Sequence, residues 1–539
     1  MHPITVYDTT LRDGAQREGL SLSVADKIRI ARRLDSLGVH FIEGGWPGAN
    51  PKDVQFFWEL KKNPLRQAQV VAFCSTCRPG CAAHQDELLS HVLAAGTHWV
   101  TIFGKSWDLH VRESLNTTLD ENLRMIQDTI SYLKSQGRRV IYDAEHWFDG
   151  LRHNPAYALA TLQAASQAGA EWLVLCDTNG GMLPSDIQTA FSQMGSWETP
   201  LGIHTHNDSG TAVANALVAV AAGSRMVQGT INGYGERCGN ANLCTLLPNL
   251  QLKLGYPCLP PSHLSQLTEV ARFVSEVVNL APDEHWPFVG SSAFAHKGGI
   301  HVSAVTKNPV TYEHLDPDLV GNRRRVVISE QAGVSNILTK AKDLGLMLER
   351  GDPRVRAILQ RVKALEHEGY QFEAAEASFA LLVYEGLQNR QLWFTLEGFR
   401  VTSQTFPDQS VCSEATVKVR VGPDDQPYHV AAEGNGPVAA LDHALRKALS
   451  KFYPEVADFK LTDYKVRILD SPSGTAAKTR VLIESSDGED RWHTVGVSPN
   501  IIEASYQAVA EGIEYGLLRK RSLRLTPPPL ATQTSGPPD

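Results

Sequence analysis

Between Ile4 and Thr230 the chain alternates short apolar runs with amphipathic stretches eight times. The apolar runs fall at Ile4 to Tyr7, Val39 to Glu43, Val70 to Phe73, His98 to Ile102, Arg139 to Asp143, Trp172 to Cys176, Gly202 to Thr205 and Met226 to Thr230. Each has the length and flanking turn residues of a strand. Between them lie segments such as Val24 to Leu37 and Leu119 to Lys134. In the first of these, Val24, Ile28, Ala31, Leu34 and Leu37 share one helical face before Gly38 ends the run. Strand then helix, repeated, implies parallel pairing, because parallel neighbours need a crossover. Eight such units in about 235 residues predict a (β/α)8 TIM barrel. The alternative, an open dinucleotide-binding sheet, lacks its Gly-rich turn after the first strand.

Barrel chemistry sits at the C-terminal ends of the strands, and the polar residues of this chain gather there. Asp8 to Gln16 follows the first strand, Glu43 ends the second, Glu145 follows the fifth and Thr178 the sixth. His204 and His206 end the seventh, and Asn240 lies beyond the eighth. Two residues apart on a strand, His204 and His206 point the same way, into the barrel. Taken alone, His-x-His reads more readily as a pair of core or surface histidines; its place at the rim reverses that and favours metal ligation. Imidazoles with one carboxylate, for which Asp13 is the choice, suit Mn, Zn or Co, while Mg prefers more oxygen. Arg12 offers planar, permanently charged donors for a ketone oxygen or a developing alkoxide. Asp143 and Glu145 share one alternation phase, so two acids face the barrel mouth and one is a candidate for proton transfer. Thr178 offers a hydroxyl to a substrate carboxylate, although Asp-Thr-Asn-Gly also reads as an ordinary turn. Trp46 and Trp107 near strand ends either shrink a substrate pocket or pack the rim.

At 539 residues the chain is too long for one hydrophobic core. A barrel domain is expected over 1–284 and a helical connector over 285–370, containing Gly298-Gly299, a helical stretch from Gln331 to Leu344 and a polar segment through Glu368. An α+β domain is expected over 371–525 and a Pro- and Ser/Thr-rich disordered tail over 526–539. The α+β region repeats a strand-rich pattern followed by a helix of about 12 residues, at Ser413 to Ser450 and Tyr464 to Leu518. Two βββα units are expected, with turns at Gly434 to Pro437 and Ser498 to Asn500.

Fifty-one basic against 59 acidic residues give a net charge of -8, and without a long basic run nucleic acid is not an expected partner. No run of about 18 apolar residues argues for a membrane span. The first residues lack a basic and then apolar leader, so a cytoplasmic protein with reduced thiols is expected. Cys74, Cys77 and Cys81 cluster without a fourth ligand nearby, and read as thiols rather than as a metal or iron–sulfur site.

Asp8 to Gln16, His204-x-His206-Asn207-Asp208 and Gly233-x-Gly235-Glu236-Arg237-x-Gly239-Asn240-Ala241 together resemble the acetyl-CoA-dependent 2-oxo-acid synthases, which make citramalate, isopropylmalate or homocitrate. The resemblance covers most of the chain. It implies a divalent metal on Asp13, His204 and His206, with Asn240 as a further ligand, and Arg12 on the 2-oxo group. It implies Gln16, Glu43, Asp143 and Thr178 as substrate-binding residues and Glu145 near the acetyl methyl of acetyl-CoA. His301, in Phe294 to His301, resembles the family's proton-transferring histidine from beyond the barrel, with His296 as the alternative. Many relatives carry an Asp two residues later, where this chain has Ser303. Phe41 to Asn50 and Lys105 to Asp108 are most similar to the branch that uses pyruvate. The C-terminal repeats are similar to the family's regulatory and dimerising domain, which implies a homodimer inhibited by isoleucine. The nearest rival is the same chemistry on 2-oxoisovalerate or 2-oxoglutarate, giving isopropylmalate or homocitrate; a lyase or a biotin-dependent carboxyltransferase on the same barrel is a second class, but no Met-Lys-Met biotin site is present.

Overall fold

The computed structural model describes residues 2–408, 410–421, 426–469, 474 and 476–525; the 526–539 tail, expected to be disordered, lies outside them. Eight parallel strands close into a barrel in chain order. They are β1 (Thr5–Asp8), β2 (Phe41–Gly45), β3 (Gln69–Ser75), β4 (Trp99–Lys105), β5 (Arg139–Glu145), β6 (Trp172–Asp177), β7 (Leu201–Thr205) and β8 (Met226–Gly229). β1 pairs with both β2 and β8, which closes the ring. Six of the strands run one to three residues past their expected ends. The apolar signal stops where side chains turn polar, but backbone pairing continues, as far as Lys105 against Glu145. The helix expected from Val24 to Leu37 forms over those residues. Ser23 caps it by accepting from the Asp26 N–H, and Gly38 ends it at φ 96°.

Inside the barrel the strand period of two stacks side chains in layers. Phe41, Val71, Trp99, Ile141, Val174 and Met226 belong to one buried apolar cluster that forms the floor. Two residues further along their strands, the same phase brings Glu43, Phe73, Thr101, Asp143, Cys176 and Gln228. A further step reaches Glu145 and Thr178, and β7 climbs from Gly202 through His204 to His206. The strands therefore lift polar groups off an apolar base toward one rim.

The chain up to Phe294, together with Leu315–Arg324, forms one compact unit, and Ala295–His314 with the chain from Arg325 onward forms a second. Leu315–Arg324 is tied to the barrel unit by hydrogen bonds: Thr268 Oγ1 donates to the Val320 carbonyl at 2.7 Å, and Asn322 Nδ2 to the carbonyls of Phe288 and Gly290.

The second unit opens with a two-stranded sheet of β9 (Ala295–His296) and β10 (Arg325–Val326) and the helices Gly299–Lys307, Val334–Asp343, Pro353–Glu368 and Glu376–Gly386. The polar segment expected through Glu368 is thus a 16-residue helix, whose Val355, Ile358, Val362 and Leu365 form a buried stripe. Two βββα units follow: β11 (Phe394–Thr405), β12 (Val411–Val421) and β13 (Gln426–Gly434) with helix Pro437–Leu449, then β14 (Lys460–Ile468), β15 (Thr479–Ser486) and β16 (Arg491–Ser498) with helix Ile501–Leu525. The first repeat starts at Phe394, not at Ser413, and the last helix has 25 residues rather than about 12. Val417, Leu445, Ile483, Trp492 and Ile513 lie in one core that joins both repeats. Among the described residues no helix is long and apolar enough to cross a membrane.

Candidate active site

At the C-terminal rim of the barrel a cavity of about 220 Å³ opens among the loops after the strands. Its lining includes Arg12, Asp13 and Gln16 from the loop after β1, Asp143 and Glu145 from β5, Thr178 beyond β6, and His204 and His206 from β7 and its end. Glu43, Asn240 and His301 are not among the lining residues.

Asp13, His204 and His206 are all buried, and their ligating atoms lie within 4.8 Å of one another, the only such group of three or more His, Cys, Asp or Glu among the described residues. Asp13 Oδ2 stands 3.2 Å from His204 Nε2 and 3.6 Å from His206 Nε2, and the two Nε2 atoms are 3.2 Å apart. Gln228 sets the orientation of His204. Its Nε2 donates to Asp143 Oδ1 at 3.0 Å, so its Oε1 faces His204 Nδ1 at 2.8 Å and accepts that N–H. The lone pair of His204 Nε2 is then turned into the cluster. Burial opposes the charged form of Asp13, but Arg12 and then His204 hold its carboxyl well below the usual carboxylate range. Burial, reinforced by His204, pushes His206 down to about 4. An anionic oxygen and two imidazole nitrogens converging on one point form a donor set for a divalent cation.

Asn240 completes the cluster from outside the cavity lining. Its Nδ2 donates to Asp13 Oδ2 at 2.9 Å and lies 3.2 Å from His204 Nε2, while its Oδ1 is buried without a partner. The amide thus places positive hydrogens where a cation's charge acts, and the reverse orientation turns its oxygen lone pair inward. Gly235 makes room for it: a Cβ there, at φ 158°, falls 1.8 Å from Asn240 Oδ1. Arg237 ties the surrounding loops by pairing with Asp208 and donating to the Thr178 carbonyl at 2.8 Å.

Glu43 lies beneath the cavity and holds Arg12. The carboxylate accepts from Tyr7 Oη at 2.6 Å, from Thr9 Oγ1 and from Arg12 Nε at 2.6 Å. With Nε so engaged and its guanidinium carbon 3.8 Å over the Phe73 ring, Arg12 keeps one plane. Glu145 pairs with Lys105, which lies outside the cavity lining. Burial raises Asp143 to about 7. Thr178 Oγ1 accepts the His146 N–H at 2.8 Å, which leaves its own hydrogen to donate. His146 takes φ 53°, a conformation rare outside glycine, and its ring meets Asp149 Oδ2 at 2.8 Å.

The two tryptophans separate. Trp46 lines the cavity with Phe73 and Phe103, the latter two stacked at 5.2 Å. Trp107 packs instead on His110, His146 and His153. His301 belongs to the second unit, its ring 4.3 Å from that of Tyr312, and His296 Nε2 meets Glu313 at 3.0 Å. Sequence reasoning missed Gln228, Lys105, Phe73 and Phe103. Strand alternation points Gln228, Phe73 and Phe103 inward, but nothing in it singles out an amide or a phenyl ring for a task.

Three family models match the chain: HMGL-like over residues 3–274, homocitrate synthase post-HMGL domain-like over 288–370, and LeuA allosteric (dimerisation) domain over 373–517. A protein of Synechocystis sp. named (R)-citramalate synthase is 65% identical over 523 residues, covering 95% of this chain and 96% of its own length. One of the same name from Geobacter sulfurreducens is 52% identical, with coverages of 97% and 99%. A probable 2-isopropylmalate synthase of Methanopyrus kandleri is 31% identical, covering 96% of this chain and 99% of its own.

Proposed function

Because the chain belongs to the HMGL-like family and, within it, to the (R)-citramalate synthases, we propose that its barrel condenses acetyl-CoA with pyruvate and water to give (R)-citramalate and CoA. The observation that carries this reading is the convergence of Asp13, His204 and His206 beside Arg12 in one rim cavity.

A divalent cation, Mn, Zn, Co or Mg, would be held by Asp13, His204 and His206 with Asn240 as a further ligand, and would supply Lewis acidity to the 2-oxo group. Arg12, braced by Glu43, presents its terminal N–H groups to the same oxygen as charge grows on it. Thr178 donates its hydroxyl hydrogen to the pyruvate carboxylate, and Gln16 and Asp143 border the acceptor. Glu145 takes a proton from the acetyl methyl, the new C–C bond forms at the ketone carbon as the C=O π pair moves onto oxygen, and the resulting alkoxide takes a proton, by way of His301, to become the hydroxyl of the product. Water then cleaves the thioester and CoA leaves. Lys105 pairs with Glu145 and holds its carboxylate in place. His301 carries a proton in this sequence, a role supported by its sequence motif. Trp46, Phe73 and Phe103 form an aromatic wall beside the acceptor site, and pyruvate as the acceptor is supported by the likeness to the (R)-citramalate synthases. The 373–517 module dimerises the chain and binds isoleucine as inhibitor, a reading supported by its match to the LeuA allosteric (dimerisation) domain.

The test is CoA-thiol release from acetyl-CoA with pyruvate, 2-oxoisovalerate or 2-oxoglutarate, with and without a chelator. Chelator-sensitive turnover that favours pyruvate is expected. Preference for 2-oxoisovalerate would overturn the acceptor assignment, and turnover indifferent to chelator and manganese would overturn the metal site.

A further inference from the structure

Within the second unit a cavity of about 350 Å³ is bounded by helices Pro353–Glu368 and Glu376–Gly386 and by helix Ile501–Leu525. Its volume falls in the range of small-molecule sites. The apolar part of its lining is Ile358, Leu365, Phe372 and Leu382; the polar part includes Ser378, Arg390 and Glu511, with Arg361 and Glu385 at the exposed rim.

The charges here do not cancel internally. Arg390 is engaged by Glu514 at 2.6 Å and Glu385 at 2.8 Å. Glu511 takes a hydrogen bond from Ser378 Oγ, which itself accepts the Val495 N–H at 2.9 Å. Among the described residues no Lys, Arg or His stands within ion-pair distance of Glu511, and Arg361 makes no ion pair. Three carboxylates thus face two guanidinium groups, and Glu511 is the one with no ion-pair partner. Burial raises Glu511 to about 7, outweighing the Ser378 hydrogen bond and the more distant Arg390.

We propose that this cavity binds a small aliphatic ammonium compound, with the ammonium on Glu511 and the hydrocarbon body against Ile358, Leu365, Phe372 and Leu382. The ligand then touches both connector helices and the last helix of the repeat module. Two sources share this chemistry, a simple alkylamine and an aliphatic α-amino acid, and only the second has a carboxylate for Arg361. The site is separate from the barrel rim and from the turns at Gly434 to Pro437 and Ser498 to Asn500.

Calorimetric titration of the full chain with butylammonium, L-norvaline and neutral pentanol tests this. Both ammonium compounds are expected to bind, and pentanol at least about tenfold more weakly. Glu511→Gln should weaken both ammonium ligands about tenfold or more. Arg361→Ala should weaken only norvaline if the natural ligand is an amino acid, and Arg361 contributes nothing if it is an amine. Leu382→Trp fills the cavity while retaining Glu511, and should abolish binding even if Glu511→Gln folds poorly. Absence of binding by either ammonium compound, equal binding of pentanol, or undiminished binding in Leu382→Trp would overturn the proposal.

Discussion

Replacing Gln228 by leucine removes one side chain and disturbs two buried partners. Gln228 is 1% exposed, accepts from His204 Nδ1 at 2.8 Å and donates to Asp143 Oδ1 at 3.0 Å. Leucine has similar volume, so the loss is polar: the buried His204 N–H and Asp143 carboxyl both lose a partner. Each buried group left unpaired costs about 1–3 kcal/mol. His204 also loses the acceptor that turns its Nε2 lone pair toward Asp13 and His206. Losses of this kind lower metal affinity or activity about 10- to 100-fold, or ~1.4–2.7 kcal/mol. Manganese titration of CoA release should therefore show the half-saturating concentration rising by that factor, with much of the turnover recovered at saturating metal. Gln228→Glu provides the contrast. It keeps an acceptor for His204 but sets a carboxylate against Asp143, so metal affinity should survive while the Asp143 carboxyl is driven further up. An unchanged manganese requirement in Gln228→Leu, with the melting temperature also unchanged, would refute the chain of reasoning from Asp143 through Gln228 to His204.

Glu511 predicts a pH dependence of stability. Its folded-state value of about 7 lies above the ordinary 4.5, so the fold binds the proton more tightly than the unfolded chain does. The associated stability is complete below pH 4.5 and is lost as pH rises through about 7, at most about 3 kcal/mol. Glu511→Gln should raise the melting temperature at pH 8 and leave it unchanged near pH 4; a variant less stable at pH 8 would contradict this. Arg12→Lys keeps the charge but loses the Nε contact to Glu43 and the planar fork, and kcat/KM for pyruvate should fall about 10²- to 10³-fold; a loss under threefold would remove Arg12 from the transition state. Gly235→Ala drives a methyl into Asn240 Oδ1 at a backbone φ of 158°. It should cost about 1–3 kcal/mol and weaken manganese binding, both readable by melting with and without the metal.

Much of the barrel was legible because two periodicities alternate along the chain, and the rim ligands because a period of two fixes which strand residues share a face. His204 and His206 fall together for that reason alone. What escaped had no such signature. Glu43 reads as one more rim acid, and only three-dimensional packing reveals that Tyr7, Thr9 and Arg12 use its oxygens. Trp46 and Trp107 follow strand ends in the same way, yet one meets the cavity and the other a cluster of histidines, a difference made by loop geometry. β11 was missed because its inward residues are only half-buried over much of its length, which blurs the alternation. The helix at Ile501–Leu525 carries alanine, glycine and charged residues through its middle, so its apolar stripe fades long before its backbone hydrogen bonds do.

The layered interior has a consequence for how the chain reaches its working form. A slip of one residue in β7 would exchange His204 and His206 for Ile203 and Thr205 on the inner face, and an equal slip in β5 would withdraw Asp143 and Glu145. Near-native barrels with one misaligned strand would retain most of their apolar contacts, yet could not gather the three ligands. An ion bound at the rim therefore rewards only the correctly aligned ring and acts as a proofreader of assembly. Supplying manganese during refolding should accordingly increase the yield of active enzyme more than it increases the total amount of helical, soluble protein.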